Sequence, residues 1–190
     1  MHTLHLSQDP AADALLSADP LALLIGMLLD QQIPMEKAFR GPQVLLERLG
    51  SLHAGSIADY DVDAFAALFA ATPAIHRFPG SMAGRVQDLC RVLATDHDGD
   101  AERVWTGVTS GGELLDRLES LPGFGRQKAQ IFLALLGKQC GVRPTGWRNA
   151  AGDYGKAGVF RSVADVTGPA SLQSVRAYKQ SVKKAAKAKG

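Results

Sequence analysis

Residues Leu118 to Gly137 read LESLPGFGRQKAQIFLALLG, two helical patterns joined by the break Leu121-Pro122-Gly123-Phe124-Gly125. Upstream, GELLDRLESL is amphipathic, and downstream Ala129, Phe132, Leu133 and Leu136 recur with helical period. Gly123 and Gly125 let the backbone turn tightly and bare the N–H groups opening the second helix, where the helix dipole favours an anion. A DNA phosphate suits that position, with Arg126 and Lys128 adding charge and Phe124 held by the apolar sides of both helices. An ordinary interhelical turn could carry the same five residues.

Outward from this hairpin, helical patterns continue and strand alternation is almost absent. Asp19 and Pro20 read as N-cap and first position of a helix through LALLIGMLLDQQ, apolar nearly all round and so buried. Pro34 opens a second helix, which Gly41-Pro42 should break or bend before Gly50 ends it. The turn DYDVD precedes a short apolar helix, and PAIHRFPGS is a loop. From Ser81, Met82, Val86, Leu89, Val92 and Leu93 define another helix. Residues 141–168 hold six glycines and predict mostly loop, with a short helix near Phe160, before Pro169 starts a last helix without a single acid.

The 190 residues, 46% hydrophobic and 21% charged, suffice for a real core. A net charge of +2 hides an asymmetry: residues 1–120 carry 8 Lys+Arg against 17 Asp+Glu, whereas residues 121–190 carry 13 against only Asp153 and Asp165. A basic segment of that density predicts a polyanionic partner, because each cation laid on a phosphate releases a counterion. The plainer reading is a basic solvated tail. Cys90 and Cys140 are too few for a disulfide framework, a four-cysteine zinc site or an iron–sulfur cluster, and the five histidines are scattered. No metal and no cofactor are expected. The opening MHTLHLSQDP lacks a signal-peptide pattern and Leu21–Leu29 is too short to span a bilayer, so a cytoplasmic monomer without membrane contact is expected.

Taken together, LESLPGFGRQKAQIFLALLG, MAGRVQDLCRVLATDHDGD and LLIGMLLDQQIPMEKAF resemble, in order and spacing, the helix-hairpin-helix DNA glycosylase superfamily of endonuclease III and the alkyladenine glycosylases. The resemblance runs from about Leu21 to Lys138. It implies an all-α protein of two lobes: residues 20–138 as a helical barrel lobe with the hairpin, and residues 1–19 with 139–190 as a second lobe carrying the basic C-terminal helix. It further implies a damaged nucleotide flipped into the cleft between lobes, since a stacked base cannot offer its glycosidic bond. Gln31, with Gln32 beside it, matches the family's residue near the vacated stack, and Phe78 matches the apolar wedge. Gln31 could instead cap its helix, and Phe78 could fold onto the core. Lys183 and Lys184 join the hairpin as backbone contacts.

Two departures matter. Where bifunctional members carry a nucleophilic lysine, this chain has Gln127; Lys128 follows, but one helical step rotates a side chain by about 100°. No lyase step is expected. Where the family carries its catalytic aspartate, eighteen residues further on, stands Thr145. The long loop GVRPTGWRNAAGDYG then offers Asp153, either as a displaced catalytic carboxylate or as the partner of a nearby base. Trp147 and Tyr154 on that loop could stack on an extruded base or cover the core. The expected function is a monofunctional base-excision glycosylase acting on duplex DNA with a lesion or mismatch. The alternative is a non-catalytic lesion- or structure-specific binder on the same scaffold.

Overall fold

The computed structural model describes residues 3–188, and every regular element among them is helical. The helices are α1 (Pro10–Ala18), α2 (Pro20–Leu29), α3 (Met35–Leu49), α4 (Ala54–Ala58), α5 (Val62–Ala70), α6 (Pro79–Asp96), α7 (Gly111–Glu119), α8 (Arg126–Gln139), α9 (Trp147–Ala150) and α10 (Pro169–Lys187). Short 3₁₀ turns cover Ala101–Val104, Gly152–Gly155 and Val163–Asp165. The protein is therefore all-α.

Asp19 caps α2 as its sequence requires, its carboxylate accepting from the Leu21 and Ala22 amides at 2.8 and 3.1 Å. Every residue from Leu21 to Leu29 is buried, which is what an all-round apolar helix demands. Around it pack α1, α3, α6, and the turn Ala101–Val104, while α4 and α5 lie along α6. The hairpin partners α7 and α8 pack together, with α9 and the two later 3₁₀ turns laid over α8. A single contiguous core runs from Leu4 to Val175, with Phe39, Phe65, Phe69 and Phe132 fully enclosed.

Several boundaries differ from expectation. Helix α3 continues through Gly41-Pro42 without a break. A β-carbon on Gly41 would stand 2.6 Å from Leu29 and 3.2 Å from Ile75, so packing against α2 and the following loop holds α3 together where Pro42 removes a backbone bond. Helix α6 starts at Pro79, proline occupying a first turn that needs no amide, rather than at Ser81. No periodic signal announces the five residues of α4. Phe160, expected near a short helix, lies exposed in irregular chain, and the helical turn of that segment is α9 instead.

Helix α10 buries only Leu172 and Val175, and beyond them all its described residues but Tyr178 are exposed. No single described helix is long and apolar enough to cross a membrane.

Candidate nucleic-acid interface

The hairpin turn spans Ser120–Gly125, closed by the Phe124 amide donating to the Leu121 carbonyl at 3.1 Å. Phe124 is buried edge-on against Phe132, as its place between two apolar faces predicts. The two glycines serve different ends. Gly123 has φ +82°, and a β-carbon there would lie 2.4 Å from the Leu28 side chain of α2. Gly125 has φ −68°, which any residue adopts, and a β-carbon would meet nothing within 4 Å. Glycine is thus sterically required at Gly123 alone, and at Gly125 it leaves the amides opening α8 uncovered. Arg126 is exposed and pairs with Glu119 across the turn at 2.8 Å.

Gln127 and Lys128 diverge, as one helical step dictates. The Gln127 amide donates to the Tyr154 hydroxyl at 2.8 Å, tying the long loop back to the start of α8. The Lys128 ammonium instead reaches α2, donating to the carbonyls of Met27 at 2.8 Å, Leu28 at 3.1 Å and Asp30 at 3.4 Å. Three hydrogens meet three acceptors at the end of α2, where Leu28 also accepts from the Gln31 side chain at 2.8 Å, Met27 from the Asp30 amide at 3.3 Å, and the Asp30 carbonyl has no other donor among the described residues. Lys128, expected beside a DNA phosphate, is thereby committed to the protein interior. Burial draws its amine down to about 8, with Asp30 pulling the other way and Arg85 adding to the fall.

Asp30 is the acid that pattern reading passed over; its one signal is a charge ending a wholly apolar helix. It is half-buried. Burial pushes its carboxyl above the ordinary range, offset by Lys179 and Lys128 and reinforced by Glu36. No described residue donates a hydrogen bond to it. Residues of α2, α3, α8 and α10 converge there, with Arg176 of α10 paired to Glu36 of α3 beside it.

The long loop behaves otherwise. Thr145 is pinned by its backbone: its carbonyl accepts from Gly111 at 2.8 Å and its amide donates to Thr109 at 3.2 Å. Trp147 is a core residue, not a free stacking platform; a β-carbon on Gly137 would lie 2.4 Å from its ring. The Tyr154 ring packs half-buried against the core with its hydroxyl on Gln127. Asp153 leaves 58% of its side chain exposed and pairs with Lys156 at 2.6 Å and Arg161 at 3.3 Å. The Lys156 bond, followed by the charges of Lys156 and Arg161, holds its carboxyl below the usual range. That is the surface ion pair named above as its alternative role. Asp165 is buried and fully engaged by Lys138 and the amides of Arg161 and Ser162.

Gln31 and Phe78, 47 positions apart, come together at one end of α2. The buried His76 ring bridges them, one nitrogen 2.9 Å from the Gln31 carbonyl and the other accepting from the Phe78 amide at 3.1 Å. The Gln31 side chain folds back, donating to Leu28 at 2.8 Å while its oxygen accepts from Arg85 at 3.0 Å. The Phe78 ring is 43% exposed, with the Arg77 guanidinium 4.7 Å from its centre. Gln32 is exposed and takes left-handed backbone at φ +57°, turning the chain sharply after α2. Lys183 and Lys184 stand exposed on the outer turns of α10. No group of three or more metal-ligating side chains occurs among the described residues.

No family model matches this chain, and no curated protein matches it.

Proposed function

We propose that this protein binds duplex DNA carrying a damaged or mispaired base and hydrolyses its N-glycosidic bond with water, as a two-lobed helix-hairpin-helix glycosylase without a lyase step. The observation that carries this reading is that hairpin and probes share one support. Gly123 lies on Leu28, Lys128 grips the last carbonyls of α2, and immediately after that helix His76 joins the backbone of Gln31, whose side chain rests on Leu28 and Arg85, to that of the exposed Phe78. A phosphate held at the amides of α8 would therefore fix where the wedge and plug meet the stack. Gln127 has no amine to form a Schiff base, and the Lys128 ammonium is occupied.

Among the acids near α8, geometry favours Asp30 over the sequence candidate Asp153. Asp165 is saturated and Asp153 is exposed between two cations, whereas Asp30 is half-buried beside Gln31, its carboxyl under the charges of Lys179 and Lys128 but with no hydrogen-bond donor among the described residues. A carboxyl so placed would stabilise positive charge developing on the sugar or supply a proton to the leaving base.

A second reading, lesion binding without chemistry, draws on Thr145 standing in place of an acid and on the ion-paired Asp153. Lesion-bearing duplexes incubated with protein and then treated with alkali separate the two. Base release that falls by about two powers of ten or more in Asp30→Asn, with binding retained, supports hydrolysis at that carboxyl. Lesion binding with no release on any duplex supports the second reading, and failure to bind DNA at all rejects both.

A further inference from the structure

His76 is 1% exposed, next to the buried Ile75 and followed by the exposed Arg77 and Phe78, and its two ring nitrogens serve two different segments. The Phe78 amide can only donate, so Nδ1 must be the bare nitrogen. Nε2 therefore carries the hydrogen given to the Gln31 carbonyl. The ring is neutral, in one tautomer, and each bond requires the other. Through it the backbone that positions Phe78 is joined to the backbone that positions Gln31, while Arg85 of α6 holds the Gln31 side chain from the far side.

Resting on the DNA-binding reading above, we propose that His76 is a positioning residue that locks Gln31 and Phe78 into one probe entering the duplex as a unit, and that a second proton on the ring opens the lock. Protonation would set an Nδ1 hydrogen against the Phe78 amide, two donors facing each other without an acceptor. The loop carrying Phe78 would then part from the end of α2. Burial holds the ring neutral by lowering its proton affinity, opposed by the carbonyls of Gln31 and Leu29. The charged groups acting on it are Lys37 of α3 and Arg77 of its own loop, both disfavouring protonation. Asp30, one residue before Gln31, is engaged electrostatically by Lys179 and Lys128 instead, and Arg85 ends on the Gln31 oxygen.

The two bonds can be severed separately. In His76→Asn the amide oxygen overlays Nδ1 and keeps the Phe78 bond while releasing Gln31. In His76→Gln the amide nitrogen reaches the Nε2 position and keeps Gln31 while releasing Phe78. The probe is a lesion duplex with 2-aminopurine beside the lesion, whose fluorescence rises on unstacking, read together with affinity for undamaged duplex. Each variant should lower the unstacked fraction about tenfold, the effect of one buried group left unpaired, with undamaged-duplex affinity unchanged. Combined with Phe78→Ala, either should add nothing, since the wedge it positions is gone. Because burial lowers the ring's proton affinity, the wild-type signal should hold through the ordinary imidazole range of about 6.5 and fall only at more acid pH, and both variants should lack that dependence.

Variants that unstack like wild type, or that keep its pH dependence, overturn the lock while leaving the DNA-binding reading intact. Should a variant fail to fold, a flat wild-type pH profile overturns the lock by itself, and a wild-type fall absent from Phe78→Ala upholds it. No unstacking by wild type on any lesion duplex rejects the flipping reading and the lock together.

Discussion

The Lys128 ammonium donates to the carbonyl of Met27, 101 residues earlier in the chain, at 2.8 Å. This bond and its two neighbours make α8 the C-terminal cap of α2. Lys128→Met keeps much of the side-chain volume and removes the donors, leaving the Asp30 carbonyl without a partner and Met27 and Leu28 with one bond each, from the Asp30 amide and the Gln31 side chain. A loss of about 1–3 kcal/mol is expected, read as a melting-temperature drop of about 2–4 °C per kcal/mol in a chain of this size. An unchanged melting temperature would refute the capping role.

The hairpin glycines should separate stability from binding. Gly123→Ala meets both a left-handed backbone and Leu28 and should destabilise the fold by about 1 kcal/mol or more. Gly125→Ala meets neither, so thermal stability should stay within about 0.5 kcal/mol while DNA affinity falls on every sequence alike. Paired melting and fluorescence-anisotropy measurements on the two variants check this.

Stability should carry a histidine-dependent slope in mildly acidic solution. The folded-state affinity of His76 for a proton is lowered, so below about pH 6.5 the unfolded chain binds a proton that the folded one resists, and stability falls as pH falls through that window. Chemical denaturation of wild type and His76→Gln at pH 7 and pH 5.5 measures it. Equal slopes in the two proteins would assign the effect elsewhere.

Borohydride should trap no covalent complex with lesion-bearing DNA. An adduct lost in Lys128→Ala would mean that this amine leaves its three carbonyls to attack the sugar.

Helix α2 was legible because it carries redundant signals: an N-cap, a proline in the first turn and a continuous apolar face. The hairpin was legible because two glycines interrupt two periodic patterns. What sequence pattern could not supply was the partner of each polar group. Lys128 occupies a predictable helix face, but nothing local to α8 says that three carbonyls of α2 wait opposite it. His76 sits in a stretch correctly expected to be a loop, and its partner there is the Gln31 carbonyl at the end of α2, 45 residues earlier. Trp147 and Asp153 share the loop that pattern could least resolve, where glycines permit many paths. There the tertiary contacts decide, sending the indole onto Gly137 and the carboxylate to Lys156 and Arg161. Asp30 was visible as a letter but not as an exception, because its surroundings are made by the end of α2, the first turns of α3 and α8 and the middle of α10 brought together.

The exposed outer portion of α10 sets a ruler. From Val175, its last buried residue, to Lys187 the helix rises about 18 Å, the length of about five base pairs of B-form duplex. Laid along a bound duplex, this single arm should make a nuclease footprint on a centrally placed lesion lopsided. Protection should extend about five base pairs further on one side, and that extension should vanish when the chain is ended after Tyr178.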